Sequence, residues 1–163
     1  MNMQRANAGF SLIEMLVTIS ILIIMAMLGT ASYSTLITST RLNGEISGML
    51  NGLKTARSEA IKRGQTVDFC PNGGSGSACG TSWANGWNVL LDSTSTQLQV
   101  GAAVTHGDTL TNTGTGYPKF TAAGYTFFTG TLSLHDANST SGLYRCIVFN
   151  AGSWTTQQGA TCP

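Results

Sequence analysis

The chain has 163 residues, room for one globular domain plus one additional element, and a formal net charge of +1. So even a balance supplies no global field toward nucleic acid or acidic lipid, and any such binding has to be local. Charged residues make up only 9% of the chain, while Gly, Ser, Thr and Asn abound, which fits a β-rich, loop-heavy extracytoplasmic domain better than a charged helical one.

Residues 1–9 are short and polar, with one cation, Arg5, ahead of an apolar run from Phe10 to Leu28. At ~1.5 Å rise per residue that run makes about 28 Å of helix, close to the hydrocarbon thickness of a bilayer. A cleaved secretory signal has a shorter apolar core and a small-residue site after it, and no such site follows Leu28. The cation before the run keeps the N-terminus cytoplasmic and places the rest of the chain outside. Glu14 interrupts the apolar run, and a carboxylate there costs several kcal/mol unless it is paired. The next basic residue is Arg41. A cut after Gly9 would create a new α-amino group on Phe10, on this chain or on a neighbour, as the counter-charge.

The stretch Gly9-Phe10-Ser11-Leu12-Ile13-Glu14 resembles the GFxxxE cleavage motif of type IV prepilins. The resemblance implies that a prepilin peptidase cuts between Gly9 and Phe10, that Phe10 is N-methylated, and that Glu14 sets the register of subunits in a filament. Many members carry a proline after the apolar run, whereas this chain has Gly29-Thr30-Ala31, which leaves a helix kink open.

From Ser32 to Arg63, Leu42, Ile46, Met49, Leu50, Leu53 and Ala60 recur at steps of three or four, the stripe of an amphipathic helix. Lys62 and Arg63 followed by Gly64 predict its end. Phe10 to Arg63 would then be a single helix about 80 Å long. Beyond Gly64 six strand-like runs follow: 65–70, 87–92, 97–100, 125–128, 131–135 and 143–149. The segment from Thr105 to Gly116 reads as an exposed loop or hairpin of weak order.

Ala56 to Gly64 (ARSEAIKRG), Cys70-Pro71, Gly86-Trp87 leading to Asp92, and Arg145-Cys146-Ile147-Val148 before Gly152 are similar to the GspH/FimT group of minor pilins and pseudopilins. The implied fold is α+β, a long N-terminal helix packed on an antiparallel sheet head. The implied organisation is a leader over 1–9, a membrane or filament-core half-helix over 10–31, an amphipathic half over 32–64, and a head over 65–163. The implied function is that of a minor pilin, a structural subunit of a type IV pilus or its tip complex and not an enzyme. A minor pseudopilin of type II secretion and a DNA-binding pilin for transformation are the alternatives. Its partners would be other pilins or pseudopilins, the prepilin peptidase, and the inner membrane before assembly, with the head in the periplasm.

Cys70, Cys79, Cys146 and Cys162 form an even set after the apolar run, as in an oxidising compartment. Three pairings are possible; the simplest joins Cys70 to Cys79 and Cys146 to Cys162. No C-x2-4-C or H-x3-5-H spacing supports a metal site, and nothing calls for a cofactor. The run Asn72 to Ser77 lacks the Gly-Lys-Ser/Thr of a phosphate loop. His135-Asp136 lacks a nucleophile elbow, so no catalytic residue is named; His106 and His135 read as loop or surface residues, and Asn138-Ser139-Thr140 as a sequon of little force. DNA-binding relatives carry Gly-Arg-x-Arg near the C-terminus, where this chain reads Asn150-Ala151-Gly152-Ser153-Trp154-Thr155. DNA contact would therefore rest on Arg145, Gly152 and Trp154, a sparse set of cations.

Overall fold

A computed structural model describes residues 10–74, 78–92, 95–137 and 142–163, with side chains at 28–32 also excluded. Gly9 and Arg5 of the leader, Ser75 to Ser77 of the Gly/Ser-rich run, and the Asn138 sequon lie outside the described residues. The first element is helix α1, Leu12–Arg63, assigned without a break through Gly29. The chain divides into two compact units, one ending at Ile37 and one spanning Thr38–Pro163. The division falls later than the sequence boundary at 31/32 because Leu36 and Ile37 are still exposed, and the first buried helix side chain is Leu42.

In the second unit the helix stripe is buried as its spacing dictates: Leu42, Ile46, Met49, Leu53, Ala56 and Ala60 all enter the core. Small side chains at 56 and 60 let the sheets approach closely. The helix stops at Gly64, whose φ of 63° only glycine adopts cheaply, and the Gln65 N–H returns to the Ala60 carbonyl at 3.3 Å.

Two four-stranded antiparallel sheets follow. One has strands β1 (Val67–Pro71), β2 (Trp87–Leu91), β3 (Thr96–Val100) and β5 (Lys119–Phe120) in the order β3-β2-β1-β5. The other has β4 (Thr109–Asn112), β6 (Gly130–His135), β7 (Tyr144–Asn150) and β8 (Ser153–Gly159) in the order β4-β6-β7-β8. The side chains of β1 and β2 are buried throughout. Phe69 lies 5.2 Å from the Trp87 ring and 5.8 Å from that of Trp83. Trp87 reaches this position because Gly52 and Gly101 flank it: a Cβ at Gly52 would lie 2.5 Å from the indole, and one at Gly101 would overlap it.

The strand expectations need three corrections. Tyr125 to Phe128 is no strand and makes only an isolated bridge, Thr126 to Phe120; alternation is present, with Thr126 and Phe128 buried, but no partner strand lies alongside. The expected loop from Thr105 to Gly116 contains β4, recruited by pairing with β6 from Thr109↔His135 to Asn112↔Leu132. β5 and β8 are not among the six strand-like runs, since one has two residues and the other (SWTTQQG) buries almost nothing.

Candidate assembly surface

Of the residues named for processing and assembly, Phe10 and Glu14 lie among the described residues of the N-terminal unit. Phe10 is 71% exposed, and the helix starts two residues later with Glu14 and Met15 N–H groups bonded to the Ser11 carbonyl at 3.0 and 3.2 Å. Glu14 is exposed in the first turn and forms no ion pair among the described residues. Around it the apolar side chains point outward on every side of the helix, Leu12, Ile13, Leu16, Leu22 and Met27 among them. A helix apolar all round belongs in lipid or among other helices, not in water. Thr18 and Ser20 satisfy their hydroxyls on the Met15 and Leu16 carbonyls, so they do not oppose such surroundings. Among the described residues no helix is long and apolar enough to cross a membrane; the run read from sequence ends at Leu28, one residue past the described side chains.

In the head, the polar groups are committed to structure. Arg145 is buried, and its guanidinium donates to Asn43 Oδ1 at 2.6 Å, Ser39 Oγ at 3.0 Å and the Tyr144 carbonyl at 3.1 Å. Gly152 sits in the β7–β8 turn with φ 86°, its N–H bonded to the Thr126 carbonyl at 2.9 Å. Trp154 is half-buried, edge-on to Phe120 at 5.6 Å, with the Arg57 guanidinium 5.9 Å from its ring. Arg145 is thus held to the helix, Gly152 to Thr126, and Trp154 against Phe120.

Sequence reasoning missed two charge clusters. Arg41 pairs with Asp108 through Nε at 2.8 Å and Nη2 at 2.6 Å, and with Asp136 at 3.1 Å, joining the helix to the start of β4 and the end of β6. The hydrogen bond to Asp108 raises the Arg41 pKa against the cost of burial. Lys119 bonds Asp68 at 3.0 Å and Asp92 at 3.3 Å, and Tyr117 Oη lies 3.4 Å from the same Asp68 oxygen. Asp68 is buried and its other oxygen, Oδ1, has no hydrogen-bond partner among the described residues. Burial pushes its carboxyl above the ordinary range despite Lys119; burial is also the largest single influence on the Lys119 ammonium and pulls it down, but the hydrogen bonds and charges of Asp68, Tyr117 and Asp92 together raise it. Lone charges far apart in the sequence gave no spacing from which to foresee either cluster.

Cys70 is bonded to Cys79 and Cys146 to Cys162, with Cα separations of 5.5 and 5.7 Å. His135 stacks on Tyr144 with ring centroids 4.9 Å apart, a partly buried packing role rather than the surface position expected. No group of metal-ligating side chains occurs among the described residues.

The family profile described as "Type II transport protein GspH" matches residues 45–153, and that of the "Prokaryotic N-terminal methylation motif" matches residues 4–30. No curated protein matches. Among solved structures, the type IV minor pilin FimU of Pseudomonas aeruginosa is similar at 17% identity and TM-score 0.55, over 74% of this chain and 93% of that one. The minor pseudopilin EpsH of the Vibrio cholerae type 2 secretion system is similar at 13% identity and TM-score 0.47, over 69% of this chain and 93% of that one.

Proposed function

This chain belongs to the GspH family, is a minor pilin or minor pseudopilin, and we propose that it serves as a minor structural subunit of a type IV pilus or its initiating tip complex. The observation that carries the proposal is the exposed apolar surface from Phe10 to Met27 with Glu14 inside it, forming no ion pair among the described residues. Prepilin peptidase cleaves after Gly9, and the α-amino group of Phe10, N-methylated, becomes the counter-charge that Glu14 lacks. Before assembly the Phe10 to Leu28 segment lies in the inner membrane with the head in the periplasm; in the filament, neighbouring helices replace the lipid. Packing subunits together satisfies both charges at once, so pairing doubles as a register mark. The chain is no enzyme on this reading: the described ion pairs of Arg41 and hydrogen bonds of Arg145 hold strands and loops to the helix.

The test is incorporation. Glu14→Ala and Gly9→Val are expected to leave membrane-bound protein that does not enter filaments, read by immunoblotting sheared filaments against the membrane fraction; normal incorporation of both variants overturns the reading. A second reading, a minor pseudopilin, is favoured by the type II transport description of the matching family. Deleting the chain separates the two, through loss of piliation and twitching or loss of exoprotein release.

A further inference from the structure

The four sheet edges of the head differ in how they meet solvent. β5 is two residues long, follows Pro118 and carries Lys119; β3 belongs to a ladder bulged between Val89 and Leu90; β4 is four residues long and runs into a turn closed by the Asn112 side chain on Gly116 and Gly114. Each has a device that discourages further strand pairing. β8 has none: it is seven residues long, in unbroken register with β7 from Asn150↔Ser153 to Tyr144↔Gly159, without charge or proline, and exposed at every position but Trp154.

The two-residue turn Ala151-Gly152 makes Asn150 and Ser153 a hydrogen-bonded pair, and the antiparallel alternation then turns the N–H and C=O groups of Trp154, Thr156 and Gln158 away from β7. Nothing among the described residues bonds to them. Alongside lies a groove of about 220 Å³ lined by Ser47 and Leu50 of the helix and by Thr156 and Gln158. Lys54 continues the helix stripe that runs from Leu50 to Arg57, the residue over Trp154. Neither Lys54 nor Arg57 forms an ion pair among the described residues, and no carboxylate lines this groove.

The geometry points to β8 as an acceptor edge that pairs with an extended strand of a different pilin-type subunit, a strand carrying at least one carboxylate directed at Lys54 and Arg57. Main-chain bonds to Trp154, Thr156 and Gln158 supply the pairing, and the two cations select the partner's side chains. The inference rests on the reading of this chain as a filament subunit.

The experiment places photoreactive p-benzoylphenylalanine at Gln157 of the full chain, expressed as the sole copy in its own cells, and maps the adduct by peptide mass spectrometry. The expected result is an adduct to an acid-bearing extended segment of another pilin-type subunit. Thr156→Pro, which removes an outward N–H and leaves the β7 ladder bonded, is expected to lower the adduct about fivefold, with thermal unfolding of the head unchanged. Lys54→Glu should lower it about twofold to fivefold. An adduct to a helix or to a second copy of this chain, assembled filaments with no adduct, or unchanged yield in either variant overturns the inference. Incorporation of the unsubstituted chain separates the two failures: its absence from sheared filaments fails the subunit reading, whereas assembled filaments without the adduct sink only the strand pairing.

Discussion

The apolar residues before Ile37 and those of the stripe from Leu42 to Ala60 belong to one helix, yet they meet opposite surroundings. Ile21 is 49% exposed and Leu22 65%, whereas Leu42 and Leu53 are fully buried. In the second unit a stripe one side-chain wide faces the sheets, so the helix is finished by its own chain. In the first, apolar groups cover every face and stay exposed among the described residues. Hydrophobicity alone therefore does not distinguish the parts; its angular spread around the helix does.

The largest effect that would sharpen this contrast comes from truncating one side chain in each unit. Phe69 is fully buried between Trp83 and Trp87, and Phe69→Ala is expected to destabilise the head by about 3–5 kcal/mol. Ile21→Ala removes a comparable apolar group from the other unit and should leave head stability within about 0.5 kcal/mol. Thermal unfolding of the full chain in detergent, followed by near-ultraviolet circular dichroism, compares them; equal losses would mean that the N-terminal unit contributes to the head's core.

That contrast was legible in the sequence because both halves are strongly patterned: Glu14 alone in an apolar run, and the Leu42 to Ala60 stripe ended by Lys62-Arg63-Gly64. The strands were legible where they are buried, as in Val67 to Cys70 or Leu132 to Leu134. They were not where pairing rather than burial creates them. Thr109-Leu110-Thr111-Asn112 is a strand only because β6 lies beside it, and Ser153 to Gly159 only because the Ala151-Gly152 turn folds it onto β7. Tyr125 to Phe128 failed in the opposite sense, since its alternation is real but finds no ladder. At the N-terminus the motif named its residues outright, while Arg145 drew attention as a free cation because its acceptors, Ser39 and Asn43, lie more than a hundred positions away.

A smaller pair of effects distinguishes where the helix touches the sheet from where it does not. A methyl group at Gly52 would lie 2.5 Å from the Trp87 ring and 2.9 Å from Phe69, whereas one at Gly44 meets nothing within 4 Å. Gly52→Ala should therefore cost about 1–3 kcal/mol through overpacking, and Gly44→Ala should stabilise by about 0.5–1 kcal/mol through lower backbone entropy of the unfolded chain. Urea titration of the two variants reads the difference, and the same sign in both would show that helix propensity, not contact with Trp87, governs this face.

The smallest effect concerns pH and tests whether burial or pairing rules Asp68. Its carboxyl is raised by burial, with Lys119 opposing, so the folded chain holds a proton that the unfolded chain has already released. Stability attributable to this group is fully present at acid pH, falls as pH rises from the ordinary carboxylate value to the raised folded one, and is flat above it. An ordinary ion-paired carboxylate gives the reverse slope. Asp68→Asn removes the titration, so the difference in unfolding free energy between wild type and variant, followed by urea titration from acid to neutral pH, isolates it. The difference should move against the wild type as pH rises. If it moves in favour of the wild type, the bond from Lys119 outweighs the cost of burial, and Asp68 anchors β1 to β5 as an ion pair.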